Sequence, residues 1–191
     1  MTNIVVCGVA GRMGQRLAHL SLAAEDLQLV GGKEHPAHVA IARDIGEIIG
    51  AGRLDLEVRD SLAGLVEADR VVVNFTTPEA TLEDAAICAE HGTAMVVGTT
   101  GFTPEQLEEF KRIVSGITCV FASNFSTAMN VLFKLVEEAA SILGDDYDVE
   151  VIEKHHRLKV DAPSGSALTL AERAAAGLDR NLREVVVHGR E

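Results

Sequence analysis

The chain has 191 residues, 47% of them hydrophobic, and carries 29 acidic against 17 basic side chains, for a formal net charge of −12. This length allows a buried core in one large domain, or in one domain with a smaller partner. The acidic balance argues against nucleic acid or an anionic membrane as the main partner. It does not argue against a small anionic ligand held by local groups.

The cysteine usage and the absence of long apolar runs indicate where the protein works. Cys7, Cys88 and Cys119 form no C-x-x-C pair, and each lies in an apolar context, which favours a reduced, cytoplasmic location. The N-terminus has no charged region before an apolar one, and no run approaches membrane-spanning length. We therefore expect neither a signal peptide nor a membrane anchor.

Short runs rich in Val and Ile alternate with helix-like segments over the first two thirds of the chain. Runs that are apolar on both faces are typical of parallel strands covered on both sides. The predicted strands are residues 3–9, 27–31, 70–75, 94–97 and 117–121, and the predicted helices between them are 13–24, 61–67, 78–91 and 104–115. This order predicts an α/β fold with a doubly wound parallel sheet of the Rossmann type.

Two of these helices have clear starts. Thr77 and Thr103 each precede a proline, which predicts a threonine N-cap with proline at the first helical position. Gln106 is placed to complete a capping box with Thr103.

The pattern changes after Ala122. A helix is predicted at 129–143, a strand at 148–156, a helix at 165–175 and a strand at 184–188. An isolated two-stranded sheet is marginally stable. We therefore expect partners to complete this sheet, or the chain to be part of a longer one.

The stretch C-G-V-A-G-R-M-G-Q follows the first strand and opens the first helix. Gly8 suits a tight turn, Gly11 allows the backbone to approach a pyrophosphate, and Gly14 allows close packing of helix on sheet. Arg12 is placed to add a charge-assisted contact. Glu34 lies twenty residues beyond Gly14, where an acidic side chain would bind the adenine ribose, so the sequence predicts a dinucleotide cofactor.

The choice between NADH and NADPH depends on the end of the second strand. A carboxylate at Glu34 disfavours the 2′-phosphate of NADPH, whereas His35, Lys33 and Arg43 are nearby candidate cations. We expect use of both cofactors or a preference for NADH. Two loops at strand ends, residues 74–79 and 98–102, are expected to complete the cofactor site.

The segment E-K-H-H-R-L-K-V-D-A-P-S-G-S-A, residues 153–167, gathers proton donors and anion binders. Strand alternation puts His155 and His156 on opposite faces, which argues against a chelated metal. One histidine facing a cleft would suit proton transfer, and Lys159 would bind a carboxylate or donate a proton. A helix start then offers amides and hydroxyls to an anion, from Ser164, Gly165 and Ser166. These features predict reduction of a small carboxylate-bearing substrate.

The same segment resembles the E-x-H-H-x-x-K-x-D-A-P-S-G-[ST]-A motif of the 4-hydroxy-tetrahydrodipicolinate (dihydrodipicolinate) reductase family, which belongs to lysine and diaminopimelate biosynthesis. Four further stretches resemble family motifs in the same order: G-V-A-G-R-M-G, N-F-T-T-P-E, V-V-G-T-T-G-F and S-N-F-S-T-A-M-N-V-L. The sequence departs from the family pattern at Asn74, where Asp is usual, at Ser123, where Pro is usual, and at residues 127–129, which replace a glycine-containing run.

The resemblance implies NAD(P)H-dependent reduction of the dehydrated cyclic imine at ring carbon 4. It implies that His155 is the acid/base and Lys159 the proton donor or carboxylate partner. The dicarboxylate would be bound by His156, Lys159, Ser164, Gly165 and Ser166. The cofactor would contact Gly8, Gly11, Arg12, Met13, Gly14, Glu34, Phe75, Thr76, Gly98, Thr99, Thr100, Ser123 and Phe125.

The resemblance also implies two domains with different functions. Residues 1–126 would form the dinucleotide-binding domain. Residues 127–191 would form an incomplete α+β domain for substrate binding and oligomerisation, because the family continues past H-G-R-E with further strands and a last helix. A homotetramer is expected for the full-length protein.

Two rival hypotheses remain from the sequence. One is another NAD(P) oxidoreductase that acts on a small amino or keto acid and shares only the first domain. The other is a non-catalytic dinucleotide-binding sensor or fragment, which would bind the cofactor without turnover.

Overall fold

A computed structural model describes residues 1–155, 157 and 162–189. Its chain divides into two compact units, Met1–Ala122 and Ser123–Glu191. The first unit holds a six-stranded sheet in the order β3-β2-β1-β4-β5-β6, with every neighbouring pair parallel. Its strands are β1 (Thr2–Cys7), β2 (Leu27–Lys33), β3 (Val58–Arg59), β4 (Arg70–Asn74), β5 (Ala94–Val97) and β6 (Cys119–Phe121). The predicted α/β class and parallel sheet are confirmed.

The helices of the first unit are α1 (Arg12–Ala23), α2 (Ile45–Ile49), α3 (Pro78–His91) and α4 (Pro104–Val114). Both predicted threonine caps are confirmed. Thr77 Oγ1 accepts from the Ala80 amide at 3.4 Å, and Thr103 and Gln106 form the reciprocal capping box at 3.2 and 2.9 Å.

Two apolar clusters cover the two faces of the sheet. Along β1, Val5 and Cys7 belong to one cluster, while Ile4 and Val6 belong to the other, as the two-residue period of a strand requires. The first cluster includes Phe110 of α4 and the second includes Ala18 of α1. This double covering explains why the strands are apolar on both faces.

The prediction of a helix at residues 61–67 is wrong. Gly64 has a φ of +72°, which ends any helical run, and the Leu65 amide donates to the Leu62 carbonyl in a turn. Leu62, Leu65 and Val66 are buried in the core. These residues are apolar because the turn buries them in the core, and not because they lie on one face of a helix. The short elements α2 and β3 were not predicted.

The second unit contains α5 (Thr127–Leu143), a 3-10 turn at Gly144–Asp146, α6 (Gly165–Gly177) and α7 (Leu182–Val185). Helices α5 and α6 pack closely, because a Cβ on Gly177 of α6 would lie 2.3 Å from the Glu137 carbonyl oxygen of α5. The strands predicted at 148–156 and 184–188 are wrong over the residues that the structure describes. Neither segment finds a strand partner there, and unpaired strands are unstable.

No helix among the described residues is both long and apolar enough to cross a bilayer.

Asp44 fixes the start of α2 and the approach to β3. Its carboxylate accepts from the amides of Glu47, Leu54 and Leu56 at 3.2, 3.0 and 3.1 Å. Desolvation works to raise the pKa of Asp44, but these backbone donors outweigh it and hold the pKa below its ordinary value.

Because the folded-state pKa of Asp44 is lowered, its contribution to stability is present above the unfolded pKa of about 4 and is lost as the pH falls through the folded pKa. We expect Asp44→Asn to lower Tm at pH 7, with a difference from wild type that shrinks below about pH 4. Asp55→Asn, at an exposed carboxylate paired with Arg53, is the control. A Tm difference that is constant with pH would contradict the role of the charge.

Candidate functional site

The glycine-rich turn connects β1 to α1 at the carboxyl end of the sheet. Gly8 has a φ of +70°, and its amide donates to the Lys33 carbonyl at 2.8 Å. The Gly11 amide donates to the Gly8 carbonyl at 2.9 Å, and Gly11 is the N-cap of α1. Among the described residues no side chain caps this helix. The backbone amides of the first turn of α1 therefore have no capping side chain, and an anion can bind them.

The two later glycines differ in how closely the chain approaches them. A Cβ on Gly14 would lie 2.0 Å from the Gly8 carbonyl oxygen, whereas a Cβ on Gly11 would lie 3.1 Å from the same atom. Gly14 is buried, and its close contact is with the turn residues Gly8 and Val9. Arg12 and Met13 lie exposed in the first turn of α1.

Glu34 contacts the glycine turn directly. Its Oε1 accepts from the Ala10 amide at 2.8 Å, and its Oε2 accepts from the His35 amide at 3.2 Å. The carboxylate thus lies beside the turn, at the end of β2. Lys33 is engaged elsewhere, because its ammonium pairs with the buried carboxylate of Asp84.

The loops at 74–79 and 98–102 meet each other and the turn. A Cβ on Gly98 would lie 2.0 Å from the Phe75 ring, so this ring packs directly on the glycine backbone. The Thr76 amide donates to Thr99 Oγ1 at 3.3 Å, and the Thr76 methyl group lies 3.1 Å from the Cβ position of Gly8. Thr99 is buried, whereas Thr100 is exposed. The structure therefore brings together Gly8, Phe75, Thr76, Gly98 and Thr99.

The Cys7 thiol lies just before this turn. Burial, followed by the nearby Asp84 carboxylate, raises the pKa of Cys7 well above its ordinary value. The thiol therefore stays neutral and adds no charge beside the glycine turn.

In the second unit, two hydroxyl contacts hold the residues before α5 against α6. Ser123 Oγ lies 2.9 Å from Thr169 Oγ1, and Asn124 Nδ2 donates to Ser166 Oγ at 3.0 Å. Phe125, the residue after Asn124, is 42% exposed. Asn124 was not predicted from the sequence.

Glu153 connects His155 to the start of α6. His155 Nδ1 lies 3.2 Å from Glu153 Oε2, and Glu153 Oε1 accepts from the Ser164 amide at 2.9 Å. Ser164 is 2% exposed, and its hydroxyl accepts from the Ala167 amide at 3.0 Å as an N-cap. Gly165 and Ser166 follow in the first turn of α6.

Glu153 was not predicted as a site residue. The predicted site residues His156 and Lys159 lie outside the described residues. Of the predicted set around this segment, the structure therefore places His155, Ser164, Gly165 and Ser166.

Two family models match the chain. The model described as "Dihydrodipicolinate reductase, N-terminus" covers residues 2–125, and "Dihydrodipicolinate reductase, C-terminus" covers residues 128–190. The chain belongs to the dihydrodipicolinate reductase family. The family resemblance in the sequence motifs is confirmed.

Curated relatives match over the whole chain. A 4-hydroxy-tetrahydrodipicolinate reductase from Syntrophobacter fumaroxidans is 47% identical over 190 residues, covering 100% of this chain and 71% of the relative. One from Desulfotalea psychrophila is 46% identical over 190 residues, with the same coverage of both chains.

Solved structures agree with the family assignment. A dipicolinate-bound dihydrodipicolinate reductase from Paenisporosarcina sp. TG-14 is 28% identical, with a TM-score of 0.65 over 93% of this chain and 67% of that one. GenD2 of gentamicin A biosynthesis, solved with NAD, is 18% identical, with a TM-score of 0.54 over 71% of this chain and 38% of that one, and shows the fold alone. A dinucleotide-binding fold in a reductase family implies a nicotinamide cofactor.

Gly14→Ala tests the close approach on which the turn depends. The added methyl group would meet the Gly8 carbonyl, so we expect a loss of about 1–3 kcal/mol in stability from overpacking. The displaced turn should also weaken NADH binding by roughly tenfold, since 1.4 kcal/mol is tenfold in Kd. Fluorescence titration with NADH and thermal melts measure the two effects.

The matched control is Gly116→Ala, because a Cβ at Gly116 meets nothing within 4 Å. A folded Gly14→Ala variant with wild-type NADH affinity would contradict the role assigned to this contact.

Proposed function

We propose that the chain reduces 4-hydroxy-tetrahydrodipicolinate to tetrahydrodipicolinate with NADH or NADPH, in lysine and diaminopimelate biosynthesis. Relatives with this reductase name are 45–47% identical along the whole of the chain. The single structural observation that carries the proposal is the glycine turn with Glu34 held against it, at the start of an uncapped helix.

The cofactor's nicotinamide ring, when bound, supplies the hydride. The residues present fit such a cofactor: Gly11 is exposed at the helix start, Gly8 before it is half-buried, and Glu34 lies beside them. We assign residues 1–126 to dinucleotide binding. The proposed contacts are Gly8, Gly11, Arg12, Met13, Gly14, Glu34, Phe75, Thr76, Gly98, Thr99, Thr100, Ser123 and Phe125.

We assign residues 127–191 to substrate binding and oligomerisation. In this proposal His155 moves the proton, while Lys159 donates a proton or binds a carboxylate. Ser164, Gly165 and Ser166 bind the dicarboxylate together with His156 and Lys159. The dipicolinate-bound relative supports a small dicarboxylate ligand. Within the described part, the amides of Gly165 and Ser166 lie at a helix start, where an anion is favoured.

Glu153 has two effects in this proposal. Its contact with His155 Nδ1 fixes which ring nitrogen faces the carboxylate, and so leaves Nε2 for proton transfer. Its contact with the Ser164 amide ties the histidine to the start of α6. The acid and the anion-binding amides are thereby held at a constant separation.

Cofactor preference follows from charge at the end of β2. The Glu34 carboxylate is held beside the turn, where it would repel the 2′-phosphate of NADPH. The Lys33 ammonium does not offset this repulsion, because it pairs with Asp84. We propose that the chain uses NADH at least as well as NADPH. We further propose a cytoplasmic enzyme that is a homotetramer when full-length.

Substrate-dependent oxidation of NADH tests the function as a whole. The expected result is loss of NADH absorbance only when 4-hydroxy-tetrahydrodipicolinate is generated in the assay. Turnover with other small amino or keto acids instead would favour another NAD(P) oxidoreductase. NADH binding without turnover would favour a non-catalytic dinucleotide-binding protein.

Glu34→Gln and Glu34→Ala separate the charge of this side chain from its contact with the turn. Glutamine keeps an oxygen for the Ala10 amide, so we expect the turn to stay in place while NADPH affinity rises relative to NADH. Alanine also removes the acceptor for the Ala10 amide, so the turn is no longer held and the binding of both cofactors should weaken. A lost charged hydrogen bond is worth about 1.5–3 kcal/mol, or roughly tenfold or more in Kd.

Calorimetric titration of each variant with NADH and NADPH measures this preference. An unchanged ratio of the two affinities in Glu34→Gln would show that Glu34 does not set it.

His155→Gln tests the proton transfer. General acid–base catalysis is typically worth about 10²–10⁴ in rate, so we expect kcat to fall by that factor while NADH affinity is unchanged. Glu153→Gln keeps an acceptor for the Ser164 amide but loses the charge facing His155, so a smaller loss in kcat is expected.

His19→Gln is the matched control, because His19 is exposed on α1. Steady-state kinetics in an active wild-type preparation measure all three variants. Near wild-type turnover in His155→Gln would refute its catalytic role.

A further inference from the structure

Three polar side chains are buried together below the carboxyl end of the sheet. Asp84 on α3 has a side chain that is 1% exposed, the Lys33 side chain at the end of β2 is 12% exposed, and Asn74 at the end of β4 is fully buried. Burying a charge is costly unless it is paired and hydrogen-bonded. The nearby ammonium of Lys33 meets this requirement for Asp84.

Asp84 determines how the Asn74 amide is turned. Its Oδ1 pairs with the Lys33 ammonium, and its Oδ2 accepts from Asn74 Nδ2 at 2.9 Å. An ionised carboxylate has no proton to donate, so the Asn74 amide must present its NH₂ group to Asp84. The carbonyl oxygen Oδ1 of Asn74 then points the other way. Burial raises the pKa of Asp84, and Lys33 opposes this shift.

Asn74 Oδ1 is the acceptor that joins the two loops. It accepts from the Thr76 amide at 3.1 Å and the Thr76 hydroxyl at 2.6 Å, both within loop 74–79. It also lies 3.1 Å from the Thr81 hydroxyl and 3.4 Å from the Thr99 hydroxyl, the latter in loop 98–102. Thr81 and Thr99 are themselves 2.7 Å apart. One amide oxygen thus holds both loops.

We propose that Asp84, held by Lys33, is a positioning residue that orients Asn74 and thereby sets the two loops that receive the nicotinamide half of the cofactor. This inference rests on the proposed function, because it takes loops 74–79 and 98–102 as the nicotinamide side of the site. The adenosine and pyrophosphate groups are assigned to Gly8, Gly11 and Glu34, whose hydrogen bonds to other described residues do not involve Asn74.

The proposal predicts a selective defect. ADP-ribose has the adenosine and pyrophosphate groups of NADH but lacks the nicotinamide. Disorienting Asn74 should therefore weaken NADH binding and leave ADP-ribose binding nearly unchanged. A network that only stabilised the fold would instead lower Tm without changing the ratio of the two affinities.

The first variant is Asn74→Asp, which keeps the size of the side chain and places a second carboxylate beside Asp84. Two adjacent ionised carboxylates repel each other, and an aspartate at position 74 has no amide group to donate to Asp84. The hydrogen bond from position 74 to Asp84 is therefore lost. We expect NADH affinity to fall by about tenfold or more, as for a lost buried hydrogen bond to a charged group, with ADP-ribose affinity within about twofold of wild type.

The second variant exchanges the two residues, Asn74→Asp with Asp84→Asn. The exchange restores one carboxylate and one amide: the new amide can donate to position 74 and accept from Lys33. NADH affinity should recover to within about threefold of wild type. Such coupling between neighbours is what a double-mutant cycle measures. Asp84→Asn alone leaves the Lys33 ammonium without its carboxylate and completes the cycle.

A third variant provides an answer if Asn74→Asp does not fold. Thr81→Val removes a buried hydroxyl that contacts both Asn74 and Thr99, and it should weaken NADH more than ADP-ribose. Thr93→Val is its matched control. Thr93 is equally buried, but its hydroxyl donates to the Glu67 carbonyl at 3.0 Å, away from both loops.

Isothermal titration with NADH and with ADP-ribose, together with thermal melts, measures the whole set. The inference is overturned if folded Asn74→Asp binds NADH like wild type, if both ligands weaken equally, or if the exchange variant binds NADH no better than the single variants. The same holds if Thr81→Val and Thr93→Val give the same affinity ratio. A wild-type chain that bound no NADH would contradict the proposed function and this inference with it.

Discussion

Helix α1 and the glycine turn that follows β1 meet with no side chain between them at Gly14, and the arrangement of the candidate cofactor site depends on this close approach. Any Cβ at Gly14 would overlap the Gly8 carbonyl oxygen. That oxygen also accepts from the Gly11 amide, and the Gly8 amide donates to the Lys33 carbonyl. The turn is therefore fixed to the helix on one side and to β2 on the other. Glu34, which directly follows β2, reaches the turn as a result.

The rest of the site is assembled by polar contacts between loops. Parallel strands bring the carboxyl ends of β1, β4 and β5 to one edge of the sheet, where their loops meet. Apolar clusters on both faces hold the strands, but the loops above them are joined by the amide of Asn74 and the hydroxyls of Thr76 and Thr99. Hydrogen bonds are directional, so such a site keeps its shape more strictly than apolar packing would require.

Features that depend on neighbours in sequence were predictable, and features that depend on distant partners were not. The glycine spacing and the Thr-Pro helix starts act within one turn of chain, and the structure has both. The prediction of a helix at 61–67 failed because the apolar pattern there comes from burial of Leu62 and Leu65 against the sheet, and not from one face of a helix. Nothing in the sequence distinguishes Asp84 from other helix residues, because its partner Lys33 lies 51 positions away. Glu153 gave no signal in the sequence either, because its contact with the Ser164 amide joins residues 11 positions apart and required the fold.

The sheet ends in very short strands on both sides. β3 has two residues and β6 has three, while the longer β1, β2 and β4 lie inside the sheet. A long, flat edge strand exposes a row of unpaired backbone groups that can template pairing with another molecule. Here each edge strand offers only a few such groups, so the parallel sheet presents little backbone for edge-to-edge aggregation, even though its central strands are among the most apolar segments of the chain.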